Sequence, residues 1–268
     1  MRYLLILIIF IPYVAISQKI SGRVIDATDG KSIPYVSIVD TKLQQGTYAD
    51  STGSFSFTTN EPKDISIHFS CVGYIAKTIT SFDLTNSNII QLVPDIKMLE
   101  EVKIKATKLS YRKKSLGYYK KIRGLYTYDY IPNTALRMAV FLQLQNPENS
   151  LLSSLNYRLV PKKSEKAISY RLRMRVMSNK NNLPYQDLIK EDLITDVDAN
   201  QSYLEFNIER FGLEIPQNGF WIGLDVIGYK DRNNKFNVIN TFEYGTVKGT
   251  ISPSIGMEKG NPNESSLS

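Results

Sequence analysis

The chain has 268 residues, of which 42% are hydrophobic and 22% are charged. This length and composition exclude a disordered chain and predict two domains of ordinary size, each with enough apolar residues for a core. The formal net charge is +7, which permits nucleic-acid binding. If the chain is exported, anionic polymers of the cell envelope are the favoured binding partners. The alternative is that the charge only keeps the protein soluble.

The first seventeen residues have the pattern of a secretory signal peptide. Arg2 supplies the positive charge, Leu4 to Ile11 form an apolar run, and Ala15-Ile16-Ser17 provides small residues where a signal peptidase cleaves. The apolar run is roughly half as long as a bilayer-spanning helix, so a cleaved signal is favoured over an uncleaved anchor. We therefore predict that 1–17 is removed and that the chain is exported.

Residues 18–95 have the pattern of a small β-sandwich. Turn residues recur about every eight to twelve positions, and β-branched and aromatic residues fill the intervals, which predicts about seven strands. Cys71 falls in phase with Ile67 and Phe69 and is expected to point inward and to be inert. His68 is out of phase with them and is expected on the opposite face.

Four short motifs carry a family resemblance in this first domain. They are Gly22 with Val24, Gly30 before Ile33 to Val36, Ala49 to Phe55, and Phe69 to Tyr74. Together they resemble the carboxypeptidase-regulatory-like domain, a transthyretin-like β-sandwich common at the N-terminus of exported Bacteroidetes proteins. Cys71 stands where that family more often has an aromatic residue. The resemblance implies an architecture and a compartment, but no reaction.

Residues 96–130 are predicted to form a basic linker. Leu99 to Ala106 is similar to the segment that leaves this domain in outer-membrane receptors driven by an inner-membrane energy transducer. The residues that remain are too few for the large barrel of those receptors. Lysines, arginines and tyrosines are interspersed from Lys97 to Arg123. They favour a solvated linker, with a patch for phosphate-bearing or uronic polymers as the alternative.

Residues 131–252 show strand periodicity again and are predicted to form a second, jelly-roll-like β-sandwich. An arginine-rich strand, a loop at Pro184 to Leu188 and a hairpin at Pro216 to Phe220 resemble the C-terminal domain of uncharacterised exported Bacteroidetes proteins. This resemblance implies a fold and no activity. The remaining residues, 253–268, are rich in Gly, Asn, Ser and Glu and are predicted to be disordered.

One strand of the second domain carries three arginines on one face. Arg171, Arg173 and Arg175 alternate with apolar residues, which predicts a half-buried strand with a basic outer face. One interpretation is an exposed charge ladder that pairs with Glu205 and Glu209 of a neighbouring strand. The other is an arginine strip that binds carboxylates, sulfates or phosphates.

Trp221, the only tryptophan, is a candidate for ligand binding. Strand alternation places it on one face with Asp225, opposite to Phe220 and Ile222. In an exposed position Trp221 would stack on a sugar ring, with Asp225 as hydrogen-bond acceptor. The alternative is that Trp221 packs into the second sheet or under a loop.

The residues that most catalytic mechanisms need are absent from the sequence. A single histidine and a single cysteine exclude the usual zinc sites, no nucleophile elbow supports a Ser-His-Asp triad, and no glycine-rich phosphate loop precedes a helix. We predict no cofactor, no metal and no enzyme. Two alternatives stay open: a weak calcium site at 196–200 and a glycosidase-type carboxylate pair. Candidates for that pair are Asp192, Asp196, Asp198, Glu205, Glu209 and Asp225.

The sequence thus predicts an all-β protein, a transthyretin-like sandwich followed by a jelly-roll-like one, in the periplasm or at the outer-membrane surface. Its predicted function is non-catalytic recognition of a glycan or another envelope component, with binding candidates Trp221, Asp225, Arg171, Arg173 and Arg175. One alternative is a structural docking partner of an outer-membrane protein complex, in peripheral contact with the membrane. The other is a glycoside hydrolase. The three functions predict different structures. Glycan recognition predicts an exposed Trp221, docking predicts an apolar patch at a sheet edge, and hydrolysis predicts two acids that face each other.

Overall fold

The computed structural model describes residues 18–240, except 41, 43–44, 60–63, 96–125, 128–136, 146, 148–149 and 161–166, together with 254–257. The predicted signal peptide, most of the predicted linker and most of the predicted tail lie outside the described residues. The described part consists mainly of strands, which confirms the all-β class. None of its helices is long and apolar enough to cross a membrane.

The first domain contains two sheets that face each other. One has the strand order β4-β1-β7, with β1 and β7 parallel, and the other has the order β3-β2-β5-β6. The elements are β1 (Gln18–Asp26), β2 (Ser37–Asp40), β3 (Gly46–Tyr48), β4 (Ser54–Thr59), β5 (Ser66–Ser70), β6 (Lys77–Thr80), α1 (Ser81–Asn86) and β7 (Ile89–Leu92). The core between the sheets includes Ile20, Val24, Ile38, Phe55, Phe57, Ile67, Phe69 and Leu92.

Three of the four motifs that carry the family resemblance include turns of this sandwich, and the fourth, Gly22 with Val24, lies in β1. The Asp50 carboxylate accepts hydrogen bonds from the backbone nitrogens of Thr52 and Ser54, at 2.7 and 3.0 Å. Gly53 completes the turn with a φ of +75°, where a Cβ atom would lie 2.7 Å from the carbonyl oxygen of Val24. Glycine is therefore required at this position by both backbone conformation and space.

The second domain is built around two long central strands, β11 and β15. Strands β12 and β13 flank β11, and β9 and β16 flank β15, while β14-β10-β17-β8 form a second sheet. The elements are β8 (Tyr126–Thr127), β9 (Arg137–Leu142), β10 (Ser154–Val160), β11 (Ala167–Lys180), β12 (Leu183–Asp187), β13 (Leu193–Asp198), β14 (Tyr203–Asn207), η1 (Glu209–Phe211), β15 (Phe220–Asp231), β16 (Phe236–Val238) and β17 (Ser254–Met257). A separate core includes Leu155, Leu159, Tyr170, Leu172, Met174, Ile208, Phe220 and Leu224.

Two short strands fall in segments that the sequence analysis assigns to the linker and the disordered tail. β8 lies within 96–130, and β17 lies within 253–268 and pairs with both β10 and β8. Such strands are stabilised by backbone hydrogen bonds to a neighbouring strand. These bonds do not depend on the local amino-acid composition, so composition alone does not predict the strands.

Candidate functional site

Each of the three arginines on β11 forms a two-point ion pair with an aspartate. Their side chains lie on the face opposite to Leu172 and Met174, which are buried in the second core, so the predicted alternation is correct. The Nε and terminal nitrogens donate to both carboxylate oxygens at 2.6 to 2.8 Å. We call these three pairs the arginine ladder: Arg171 with Asp196, Arg173 with Asp192 and Arg175 with Asp187.

The partners of the ladder differ from those expected. Glu205 and Glu209 belong to β14 and η1, and β14 pairs with β10 in the other sheet. In the sheet, β11 lies between β15 on one side and β12 and β13 on the other, and the register places Arg171 directly opposite Asp196. The planar guanidinium fork matches a carboxylate at two points, so each pair fixes the orientation of both side chains.

The first domain covers the ladder. The Arg171 guanidinium donates to the Tyr35 hydroxyl, and Arg173 donates to the backbone oxygen of Tyr35 at 2.9 Å. Tyr35 adopts a φ of +55°, which is unusual for a residue with a side chain. Arg173 retains only 1% of its accessible surface. The predicted basic outer face is therefore not a solvent-exposed strip at Arg173 but part of a contact between the two domains.

Further contacts extend this domain interface on both sides of the ladder. Lys190 of the second domain forms an ion pair with Asp95 of the first at 2.7 Å. Tyr35 and Tyr48 share a buried apolar cluster with Ile227 of β15. The domain interface thus combines an ion pair, an apolar cluster and the ladder contacts to Tyr35.

The charges at the domain interface are mutually stabilised. Burial acts to lower the pKa of the Arg173 and Arg175 guanidinium groups, but hydrogen bonds and charge interactions with their aspartates outweigh it, and both pKa values are raised. The hydrogen bond from Arg171 lowers the pKa of Asp196. Burial raises the pKa of the Cys71 thiol to about 11. Cys71 is therefore protonated at neutral pH and packs against the first core, as predicted.

Asp225 lies inside the domain interface rather than on an open face. It is 2% exposed, and it lines a small cavity with Ser70, Cys71, Arg173 and Arg175. A ligand bound at the surface does not reach this carboxylate. Asp225 is therefore not placed to act as the hydrogen-bond acceptor for a sugar that the sequence predicts.

Trp221 occupies the far end of the same sheet face, beyond the ladder. It is half-buried and does not belong to the second core, whereas Phe220 on the opposite face is fully buried. Its indole Nε1 donates to the Asn179 side-chain oxygen at 3.1 Å, and its ring lies 5.2 Å from that of Phe141, centroid to centroid. The strand register sets Trp221 between Phe141 and Met177.

Two asparagines frame the tryptophan. The Asn179 Nδ2 donates to the backbone oxygen of Asn218 at 2.9 Å, and the Asn218 Nδ2 donates to the backbone oxygen of Asn179 at 3.1 Å. We call Trp221, Phe141, Asn179 and Asn218 the Trp221 platform. The last three residues come from three separate segments, so the sequence does not indicate that they meet, and its only signal is the polar hairpin next to Trp221.

The acidic residues predicted for catalysis or calcium binding lie apart from each other or are already bound by other groups of the protein. Asp192 and Asp196 are bound by arginines, and Asp198 accepts a hydrogen bond from the backbone nitrogen of Asn200 at 2.7 Å. Among the described residues, no three acidic, histidine or cysteine side chains are grouped to hold a metal ion. The arrangement offers binding surfaces rather than a cleft between two acids.

One comparison with known proteins supports the family resemblance of the first domain. No curated protein matches the chain. Domains of the carboxypeptidase-regulatory-like type are accessory, non-catalytic β-sandwich modules. Residues 20–104 match the family model of the CarboxypepD_reg-like domain, which supports the resemblance of the first domain to that family.

Proposed function

We propose that this protein is an exported, non-catalytic module of the cell envelope that binds a glycan at the Trp221 platform, in the periplasm or at the outer membrane. The observation that carries the proposal is the position of Trp221. Its ring lies outside the core, and a hydrogen bond to Asn179 and contact with Phe141 hold it in place. Fixed, partly exposed aromatic rings are suited to stacking on the apolar face of a sugar.

The domain interface supports an accessory role over an enzymatic one. Asp187 and Asp192 hold arginines of the ladder, and Asp225 is buried between the domains. A glycosidase needs two carboxyl groups that flank a substrate. In the described part of the chain, those acids serve the interface instead, and the Trp221 platform carries no acid.

The test is a glycan-array screen of the purified protein at low and physiological salt. We expect binding that survives physiological salt, because stacking and neutral hydrogen bonds are weakly screened. Trp221→Ala should lower the affinity at least about tenfold, as expected for an aromatic anchor, and Trp221→Phe should retain part of it. The control is Tyr203→Ala, which removes an exposed aromatic ring from the other sheet.

Glycan binding that Trp221→Ala leaves unchanged, or binding that physiological salt abolishes, would contradict the proposal. The second candidate function is then a docking partner of an outer-membrane protein complex. One observation favours it: Ile75, Ile89 and Val93 are 51 to 55% exposed at the β7 edge of the first domain. The backbone nitrogen of Ile75 donates to the oxygen of Val93 at 2.8 Å, so these two residues are adjacent.

A further inference from the structure

We infer that the Trp221 platform selects neutral oligosaccharides over acidic ones, and that Asn218 and Asn179 determine this selectivity through their side-chain amides. The inference rests on the proposed function, because it concerns the ligand class of the same site. The side chains that surround the ring in the platform are polar or aromatic, and all of them are neutral.

The two asparagines are held in fixed positions by each other. Their reciprocal hydrogen bonds, at 2.9 and 3.1 Å, join the end of β11 to the turn that precedes β15. Asn179 also accepts from the Trp221 indole at 3.1 Å, so ring and amides form one connected unit. A site that is already ordered loses little side-chain entropy when a ligand binds.

The amides retain hydrogen-bonding capacity toward a ligand. Each Nδ2 carries two hydrogens and uses one of them in the reciprocal pair. Asn218 is exposed, and within the described residues its side-chain oxygen accepts no hydrogen bond. The platform therefore offers donors and an acceptor beside the ring. Sugar hydroxyl groups, which both donate and accept, match such a mixture.

The four side chains of the platform are uncharged, and two charged residues of β11 lie near it in the described structure. Arg175 lies on the same face of β11 but is bound at two points by Asp187. Lys180 follows Asn179 in sequence, but strand alternation places its side chain on the other face of the sheet, where its ammonium group lies 4.3 Å from the centre of the Tyr185 ring. An acidic sugar would lose part of the hydration of its carboxylate here and would gain no cation from the platform itself in return.

The experiment measures binding of matched neutral and carboxylated oligosaccharides. The probes are a β-1,4-linked glucose hexamer, an α-1,4-linked galacturonic acid hexamer, and neutral and acidic pairs taken from the array hits. We expect the neutral member of each pair to bind at least about tenfold more tightly, because an uncompensated charge at a binding site costs more than one ordinary hydrogen bond.

Asn218→Asp tests the role of the amide directly. It keeps the shape of the side chain, removes its donors and adds a negative charge. We expect a loss of about fivefold in affinity for neutral glycans, corresponding to one hydrogen bond, and a larger loss for acidic ones. The matched control is Asn233→Asp, the same change in an exposed turn beyond the other end of β15, about 40 Å away by strand length. This control should bind like the wild type.

The outcomes separate this inference from the proposed function. If no glycan binds, or if Trp221→Ala binds normally, both are wrong. If Trp221→Ala abolishes binding but acidic and neutral glycans bind equally well, the proposed function stands and the selectivity is overturned. The same holds if Asn218→Asp and Asn233→Asp cannot be distinguished.

Discussion

Arg173 shows how a charged residue is accommodated at the centre of this molecule. Its guanidinium group donates to Asp192 at 2.6 and 2.8 Å and to the backbone oxygen of Tyr35 at 2.9 Å. A buried charge is tolerated only when its hydrogen bonds are satisfied, and removal of one partner leaves the other uncompensated. Arg210, in contrast, pairs with Glu191 at the surface, where the two side chains are 60% and 51% exposed.

We therefore expect Arg173→Ala to lower the free energy of unfolding by about 3 kcal/mol, because Asp192 and the Tyr35 carbonyl lose their donor. Urea unfolding followed by Trp221 fluorescence measures this value. The control, Arg210→Ala, should cost less than about 1 kcal/mol, since exposed ion pairs contribute little. Equal effects of the two substitutions would show that the ladder does not support the domain interface.

At the level of elements, the interface depends on how closely two loops approach. Gly73, in the turn between β5 and β6, has a φ of +82°, and its missing Cβ would lie 2.7 Å from the backbone oxygen of Lys190. Lys190 follows β12 and reaches back to Asp95. The first domain therefore contacts the loop between β12 and β13 at a distance that only glycine permits.

Gly73→Ala should destabilise the protein by roughly 2 to 3 kcal/mol, the sum of left-handed backbone strain and the contact with a backbone atom. Gly30→Ala separates these two effects, because Gly30 also has a positive φ, +72°, but no atom lies within 4 Å of its Cβ position. We expect the control to cost only about 1 kcal/mol. Thermal unfolding of both variants provides the comparison, and identical midpoints would exclude close packing at Lys190.

On the scale of the whole molecule, two separate cores are joined by one interface. The cores of the first and second domains share no residue. The arginine ladder, the Lys190–Asp95 pair and the Tyr35–Tyr48–Ile227 cluster connect them. Arg173 is 1% exposed and donates to the backbone oxygen of Tyr35, so unfolding of the first domain leaves this buried charge without one of its acceptors.

This arrangement predicts that the two domains unfold together. Calorimetry of the wild type should give one transition with a ratio of calorimetric to van't Hoff enthalpy near one, as expected for a cooperative unit. The double variant Arg171→Ala with Arg173→Ala removes the ladder contacts to Tyr35 and should separate the trace into two transitions. Two transitions in the wild type would show that the domains are independent despite their contacts.

Local signals in the sequence were sufficient for the fold class, the turns of the first domain and the alternation on β11. The turn at Asp50 to Ser54 and the inward position of Cys71 depend on neighbours a few residues away, so pattern alone indicates them. The partners of the arginines, the burial of Asp225 and the grouping of Asn179 and Asn218 with Trp221 depend on strand order and on domain docking. These contacts join segments far apart in the chain, and only the tertiary structure decides which of them meet.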